Sequence, residues 1–291
     1  MLRSFHVLDP STVLEAAKEL GRLGDRAKVY AGGAELLLLL RHGLLQADWL
    51  IDIKRISGLD EIAWDGGVVR IGATVTHHRL EENPLIRKYL SMFATTESQV
   101  ANIRVRNQGT LGGNFCFNDP HSDPATALLV YGAGVKVVGE RGERQMALKD
   151  FLVDMYTTAL SQDEILVEVQ VPPLPPGFGS AYLSVHRFQR PTLGVAAAVR
   201  MQHGQLDDVR LAVGCVGPIP ERIGKLEDKI RGLKLEGAQR VIGESEAYLT
   251  ELLQPVDDLL GSAEYKLYMT RVLLSRALSQ SLRGNGSRYD D

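Results

Sequence analysis

Val13, Ala17 and Leu20 recur at helical spacing behind Ser11, whose hydroxyl can cap a first turn; the pattern then changes to the short strand-like run Lys28-Val29-Tyr30-Ala31. Gly32-Gly33 ends that strand, and the strong helix formers from Glu35 onward predict a helix that stops near His42-Gly43. Ile62-Ala63-Trp64 and Val68-Val69-Arg70-Ile71 flank an Asp65-Gly66 turn and predict a hairpin. A second hairpin is expected from Val135 to Leu148 across Gly139 and Gly142. The prolines of Val171-Pro172-Pro173-Leu174-Pro175-Pro176-Gly177 can continue neither a helix nor a central strand, so the main domain boundary is placed there. Beyond it, Gly194 to Met201 and Val209 to Val216 read as strands, and Leu226 to Ile242 and Tyr265 to Leu282 as helices, with Tyr265, Met269, Val272 and Arg276 sharing one face of the last. The expected organisation is a domain of residues 1–175, split into subdomains of about 1–55 and 56–175, then a C-terminal domain 176–285 and a polar, frayed tail 286–291.

Composition narrows the functional classes. A chain of 291 residues, 44% hydrophobic and 24% charged, is ordinary globular material for about two domains. Lys and Arg number 33 against 36 Asp and Glu with no long run of either sign, which leaves no electrostatic footprint for nucleic acid or anionic lipid. The longest apolar block, Leu36 to Leu40, is stopped by Arg41 and His42, far short of a membrane span. The N-terminus has no secretory pattern and only Cys116 and Cys215 are present, so a cytoplasmic location is expected. Two cysteines cannot supply the thiolates of an iron–sulfur cluster, which would have to sit on another chain.

Two glycine-rich segments carry the candidate chemistry: Ala31-Gly32-Gly33-Ala34-Glu35 and Gly109-Thr110-Leu111-Gly112-Gly113-Asn114. Residues without a Cβ let backbone N–H groups approach an anion, and Thr110 adds a hydroxyl donor, so two such loops can hold one pyrophosphate between them. Neither matches the G-x-G-x-x-G fingerprint or the G-x-x-x-x-G-K-[ST] loop, and each alone also reads as a tight turn without a ligand. The adjacent His77-His78 point in different directions on any regular element and read as a surface turn rather than a metal site. Cys116 with His121 and Asp119 lacks a fourth ligand for zinc, Cys215 reads as a small buried hydrophobe, and the Leu36 to Leu40 run reads as core except at its first residue.

The second segment stands in Arg106-Asn107-Gln108-Gly109-Thr110-Leu111-Gly112-Gly113-Asn114, followed by Asn118-Asp119-Pro120-His121-Ser122-Asp123. This resembles the R-N-x-G-T-[IL]-G-G-N and x-D-P-x-S-D motifs of the flavoprotein subunits of molybdenum hydroxylases, the carbon monoxide dehydrogenase and xanthine dehydrogenase family. Tyr30 to Leu36 resembles that family's first pyrophosphate loop, Ile71-Gly72-Ala73-Thr74-Val75-Thr76 its I-G-A segment, Thr158-Ala159-Leu160 with Glu164-Ile165-Leu166 the stretch before its domain boundary, and Gly217 to Arg222 its x-P-x-R turn.

The resemblance implies an α+β chain: an FAD-binding, p-cresol-methylhydroxylase-like fold of two α/β subdomains followed by a C-terminal α+β domain. It implies FAD on this chain, its pyrophosphate held by Ala31, Gly32, Gly33, Ala34 and Glu35 and by Thr110, Leu111, Gly112, Gly113 and Asn114. Leu36 and Val100 fall where relatives set side chains against the flavin ring, Asp123 where an acid contacts the FAD, and Leu166 where backbone contacts are common. Many relatives carry a Lys after the aromatic residue aligned with Tyr182; here Leu183 and Ser184 follow, and Arg187 is the candidate replacement. The implied partners are a large molybdopterin subunit and a small subunit with [2Fe-2S] clusters, in a dimer of heterotrimers that passes electrons to FAD and on to an external acceptor. The alternatives are a self-contained FAD oxidoreductase of the same fold and a non-catalytic scaffold.

Overall fold

The computed structural model describes residues 4–187 and 190–283, the side chain of Arg187 excepted. Its first unit runs β1 (His6–Leu8), α1 (Val13–Leu23), β2 (Ala27–Tyr30), α2 (Leu36–His42) and β3 (Trp49–Asp52), with the strands in a parallel sheet ordered β1-β3-β2. Helix α1 buries Ala16, Ala17, Leu20 and Leu23. Its cap is Thr12, one residue later than Ser11. The Thr12 hydroxyl accepts from the Glu15 amide at 3.1 Å while Ser11 donates its amide and hydroxyl back to the Glu15 carboxylate, so both residues satisfy the helix end reciprocally. Helix α2 ends on left-handed Gly43, as its composition predicts.

The second unit continues with β4 (Ile62–Asp65), β5 (Val68–Gly72), α3 (His77–Glu82), α4 (Pro84–Tyr89), α5 (Ser91–Gln99), α6 (Ile103–Gln108), α7 (Leu111–Phe117) and α8 (Asp123–Tyr131). It closes with β6 (Gly134–Gly139), β7 (Gly142–Ala147), α9 (Leu148–Phe151), β8 (Leu152–Asp154), β9 (Thr157–Thr158) and β10 (Ile165–Val171). Both predicted hairpins form, and β10 inserts between them to give an antiparallel sheet ordered β4-β5-β10-β6-β7. Between the hairpins, α8 has no amphipathic signature because its surroundings close over it on every side: all of it from Asp123 to Tyr131 is buried.

The C-terminal unit is a meander of β11 (Phe178–Arg187), β12 (Arg190–Gln202), β13 (Gln205–Gly214) and β14 (Glu221–Arg222), then α10 (Gly224–Ile230), α11 (Leu235–Gly243), α12 (Glu246–Leu253) and α13 (Ala263–Arg283). The helix expected over Leu226 to Ile242 is two, broken at Gly232, whose φ is 81°. On α13, Tyr265 and Arg276 are exposed and Met269 and Val272 half-buried, Met269 packing against the rim of the core; the buried stripe is Lys266, Leu267, Thr270, Leu273, Leu274, Ala277, Leu278 and Ser281. Strand β12 is apolar from Leu193 to Val199 because both its faces are covered there. Leu193, Val195, Ala197 and Val199 join the core under α13, whereas Ala196 and Ala198 join the core of the second unit beside α8. The two domains therefore share an apolar seam along β12. The polar tail, 284–291, falls outside the described residues.

Candidate functional site

The two glycine segments meet. A Cβ on Gly32 would overlap the Gln108 carbonyl, so the first segment packs backbone to backbone against the start of the second. Gly112 is equally constrained from behind, where a Cβ would lie 2.6 Å from the Ala73 carbonyl oxygen. Gly33 is a glycine for two reasons: its φ is 74°, in the left-handed region, and a Cβ would overlap Cε2 of the Tyr30 ring. Between the segments and the neighbouring loops opens a cleft of about 830 Å³. Ala31, Gly32, Gly33, Ala34, Glu35, Leu36, Val100, Thr110, Gly112, Gly113, Asn114, Asp123 and Leu166 all line it. Leu111 does not, because its side chain is sealed in the core. The backbone of Arg187 ends β11, and its side chain lies outside the described residues. Leu39 joins Leu36 on the cleft wall, so the apolar run of α2 offers it more than its first residue.

The segments differ in their backbone donors. Among the described residues nothing accepts a hydrogen bond from the amides of Gly33, Ala34 and Glu35. In the second segment the donors are committed: Leu111 to the Val75 carbonyl, Gly112 to the Ala73 carbonyl, Gly113 to the Thr110 hydroxyl and Asn114 to the Thr110 carbonyl, at 2.9–3.1 Å. What this segment turns to the cleft is side-chain chemistry. Thr110 retains its hydroxyl proton, and the Asn114 side-chain oxygen accepts from Ser122 at 2.7 Å, which fixes the amide plane and leaves its NH2 to donate.

Three further walls carry charge. Arg190 and Pro191, at the start of β12, reach in from the C-terminal domain. Arg190 pairs with Asp119 at 3.1 Å beside Glu35, whose carboxyl is pushed above the usual range by burial, against the pull of Arg190. Asp123, buried at the start of α8, accepts from the Tyr182 hydroxyl and lies 3.4 Å from His186 Nε2. Burial, and then the adjacent Asp123 charge, hold the Tyr182 phenol well above its ordinary range, so it stays a donor, and the bond to Asp123 raises His186. Much of the hydrogen-bonding capacity of Asp123 is thus spent on β11. On the third wall Glu164 takes two 2.7 Å bonds from Arg144 and one from the Ser161 amide, which draws its carboxyl down to about 2.

His77 corrects the surface-turn reading. It is 3% exposed, opens α3 behind Thr76, and lines the cleft. Its Nδ1 meets Glu97 Oε2 at 2.6 Å; Glu97 is fully buried on α5, and its other oxygen has no partner. Burial pushes the Glu97 carboxyl up, opposed by the imidazole. His78 stays partly exposed near Glu81 and Glu82. His77 and Arg190 are the site residues that motif reading missed. The His77-His78 doublet was a visible signal with the wrong solvent exposure assigned, whereas Arg190 reaches the site from another domain and had no local signal.

A cleft lined by open backbone amides and small residues, with Asp119, Asp123 and Glu164 already paired within the protein, suits a cofactor that brings its own reactivity. Residues 3–174 match the family model described as FAD binding domain in molybdopterin dehydrogenase, and residues 183–281 match CO dehydrogenase flavoprotein C-terminal domain. The chain belongs to this family of FAD-binding medium subunits of molybdenum hydroxylases, which are oxidoreductase components. It is 32% identical to the nicotine 6-hydroxylase medium subunit of Paenarthrobacter nicotinovorans over 92% of this chain and 94% of that one. It is 31% identical to the carbon monoxide dehydrogenase medium chain of Hydrogenophaga pseudoflava, over 93% and 94%. The solved carbon monoxide dehydrogenase of Hydrogenophaga pseudoflava lacking the Mo-pyranopterin moiety superposes with a TM-score of 0.92 at 31% identity, covering 97% of this chain and 99% of that one. Among the described residues no helix is long and apolar enough to cross a membrane.

Proposed function

We propose that this chain holds FAD in the cleft between the glycine segments and serves as the electron-transfer subunit of a molybdenum hydroxylase complex. Electrons would come from [2Fe-2S] clusters on a small partner and leave to an external acceptor. The observation that carries the reading is the row of uncommitted amides from Gly33 to Glu35 facing a packed second segment across one cleft. Uncommitted amides at the start of a helix are donors for an anion, here the cofactor diphosphate. Thr110 and Asn114 would hold it from the far side by side chains, while Leu111 only packs the segment. Leu36, Leu39, Val100 and Leu166 give apolar cover, and Asp123 acts by fixing β11 as much as by direct contact. Bound FAD supplies the redox chemistry; the chain binds it, orients it and excludes water. The iron–sulfur clusters would sit on the small subunit, since two cysteines cannot supply the thiolates of one, and the molybdopterin on a large subunit, in a cytoplasmic dimer of heterotrimers.

Purification from a host that makes the neighbouring chains tests this. The expected preparation is yellow, contains FAD in proportion to this chain, and carries two further polypeptides with molybdenum and iron. A yellow chain that purifies alone and whose flavin is bleached rapidly by its own organic substrate would replace the reading with a self-contained oxidoreductase. A colourless preparation that takes up no FAD would leave a scaffold.

A further inference from the structure

The His77–Glu97 pair has no part in holding the two segments apart or together, yet it is buried at the cleft wall with an unpartnered carboxylate oxygen. Buried titratable pairs with unsatisfied atoms are uncommon where packing alone is served. The backbone around the ring is fixed: the His77 amide donates to the Gly109 carbonyl at 3.1 Å, and Thr76 bridges to Thr110. The ring edge that does not face Glu97 lies against Gly109, where a Cβ would stand 3.1 Å from Cδ2 and 3.5 Å from Nε2. A side chain at Gly109 would therefore close this edge off.

We propose that Glu97 positions His77 so that Nε2–H is a fixed hydrogen-bond donor to an acceptor oxygen or nitrogen of the bound flavin nucleotide. One proton lies in the 2.6 Å bond between Nδ1 and the carboxylate. If the pair is net neutral, a second proton is on Nε2, whether the shared one belongs to the imidazole or to Glu97. Removing it would leave a net negative charge in a buried place, which desolvation opposes. Among the described residues the groups around the pair supply no uncommitted cation. Glu81 on α3 is spent on Arg106 of α6, and Asp123 at the head of α8 is paired with Tyr182 and His186. Among the imidazoles of the cleft, His121 has both nitrogens engaged, with the Pro191 carbonyl and Asp258. His77 is therefore the ring left with a nitrogen for a ligand. The acceptor is either a diphosphate oxygen or a polar atom of the flavin ring, and the two are separable by experiment.

This inference rests on the cleft being a flavin site, so the test begins with the wild-type complex stripped of FAD. Binding of FAD and of ADP, which carries the diphosphate without the ring, is measured by calorimetry from pH 6 to 9, and the flavin midpoint potential by spectroelectrochemistry. Failure of the wild type to bind FAD overturns the site reading and this inference together. With binding intact, His77→Gln is expected to weaken FAD on the order of ten-fold, the effect of losing one good donor. An equal loss for ADP assigns the acceptor to the diphosphate; an unchanged ADP affinity with a shifted potential assigns it to the ring. Glu97→Gln keeps the shape and removes the carboxylate, so the pH above which FAD binding weakens should move down, a change that packing damage would not give. Wild-type FAD and ADP affinities, potential and pH profile in both variants, with unchanged melting, would overturn the proposal.

Discussion

Among the described residues the segment from Ala31 to Leu36 keeps the amides of Gly33, Ala34 and Glu35 free of protein acceptors, whereas the segment from Thr110 to Asn114 commits every amide from Leu111 to Asn114. The difference follows from what lies behind each one. The first is a turn between β2 and α2, at the edge of its sheet, and the second is stitched to the Ala73–Val75 backbone while starting α7. One segment therefore offers backbone donors and the other offers rigidity plus the side chains of Thr110 and Asn114. The division of labour predicts that equivalent glycine substitutions fail differently.

The largest effect is expected at Gly112. A valine there would press its side chain into the backbone and Cβ of Ala73, with no flexible neighbour to yield, and overpacking of this kind costs roughly 3 kcal/mol or more. Gly112→Val should lower the melting temperature by several degrees or prevent folding, with and without FAD. A well-folded Gly112→Val protein that has merely lost flavin would mean the second segment is a donor loop after all. Gly33→Ala should show the opposite balance. At φ 74° a Cβ costs about 1–2 kcal/mol and would overlap the Tyr30 ring, a half-buried side chain rather than backbone. Relief would move that ring and rotate the open amides, so FAD affinity should fall on the order of a hundred-fold with a smaller loss of melting temperature than at Gly112. Fluorescence titration of FAD beside thermal melts of the apo-protein reads both numbers.

Much of this arrangement was legible in the sequence. The helix–strand–glycine rhythm of the first unit, the two hairpins and both glycine segments carry local signals that survive in the fold. Motif resemblance also named most of the cleft wall. Strand β11 went unread although Ala181, Leu183 and Val185 alternate with Ser180, Ser184 and His186, and the break at Gly232 was hidden by helix formers on either side. The amide bookkeeping of the two segments could not be read at all, since Gly-Gly looks alike whether its neighbours lie in front of a cleft or against another backbone. His77 was misplaced for a related reason: its partner Glu97 is twenty residues away, and burial arises only from how α3 and α5 pack.

The segment Ser161 to Leu166 behaves like the second glycine segment, since Glu164 occupies the Ser161 amide and is held by Arg144. The carboxyl is drawn from 4.5 to about 2, so its contribution is fully present above the unfolded value and is lost as pH falls through that interval. With Arg144 partly exposed, the contribution is on the order of 1–2 kcal/mol. Glu164→Gln should lower stability near neutral pH by that amount and flatten the acid limb of the denaturation curve between pH 4.5 and 2. An acid limb parallel to that of the wild type would place the titrating group elsewhere.

The smallest effect is expected at Arg190, and it bears on how an acid-rich cleft accepts a dianionic diphosphate. Asp25, Glu35, Asp119, Asp123 and Glu164 line the cleft, against Lys28 and Arg190 as its full cations among the described residues. Open amides of the first segment supply partial positive charge, but Glu35 and Asp119 stand beside them, and Arg190 is the cation placed between these two carboxylates. Removing it leaves both acids uncompensated near the anion. The side chain is about half exposed, so water and salt screen its field and the interaction is worth about 1 kcal/mol rather than the several of a buried pair. Arg190→Gln should therefore weaken FAD by roughly three- to ten-fold at low ionic strength, less at high salt, because screening already removes much of the same interaction in the wild type. The fold should be indifferent to the change, as an exposed pair with Asp119 contributes little to stability. Equal affinities of Arg190→Gln and wild type at low salt would show that the first segment's amides hold the anion unaided, and the contrast between the two segments would then be sharper than drawn here.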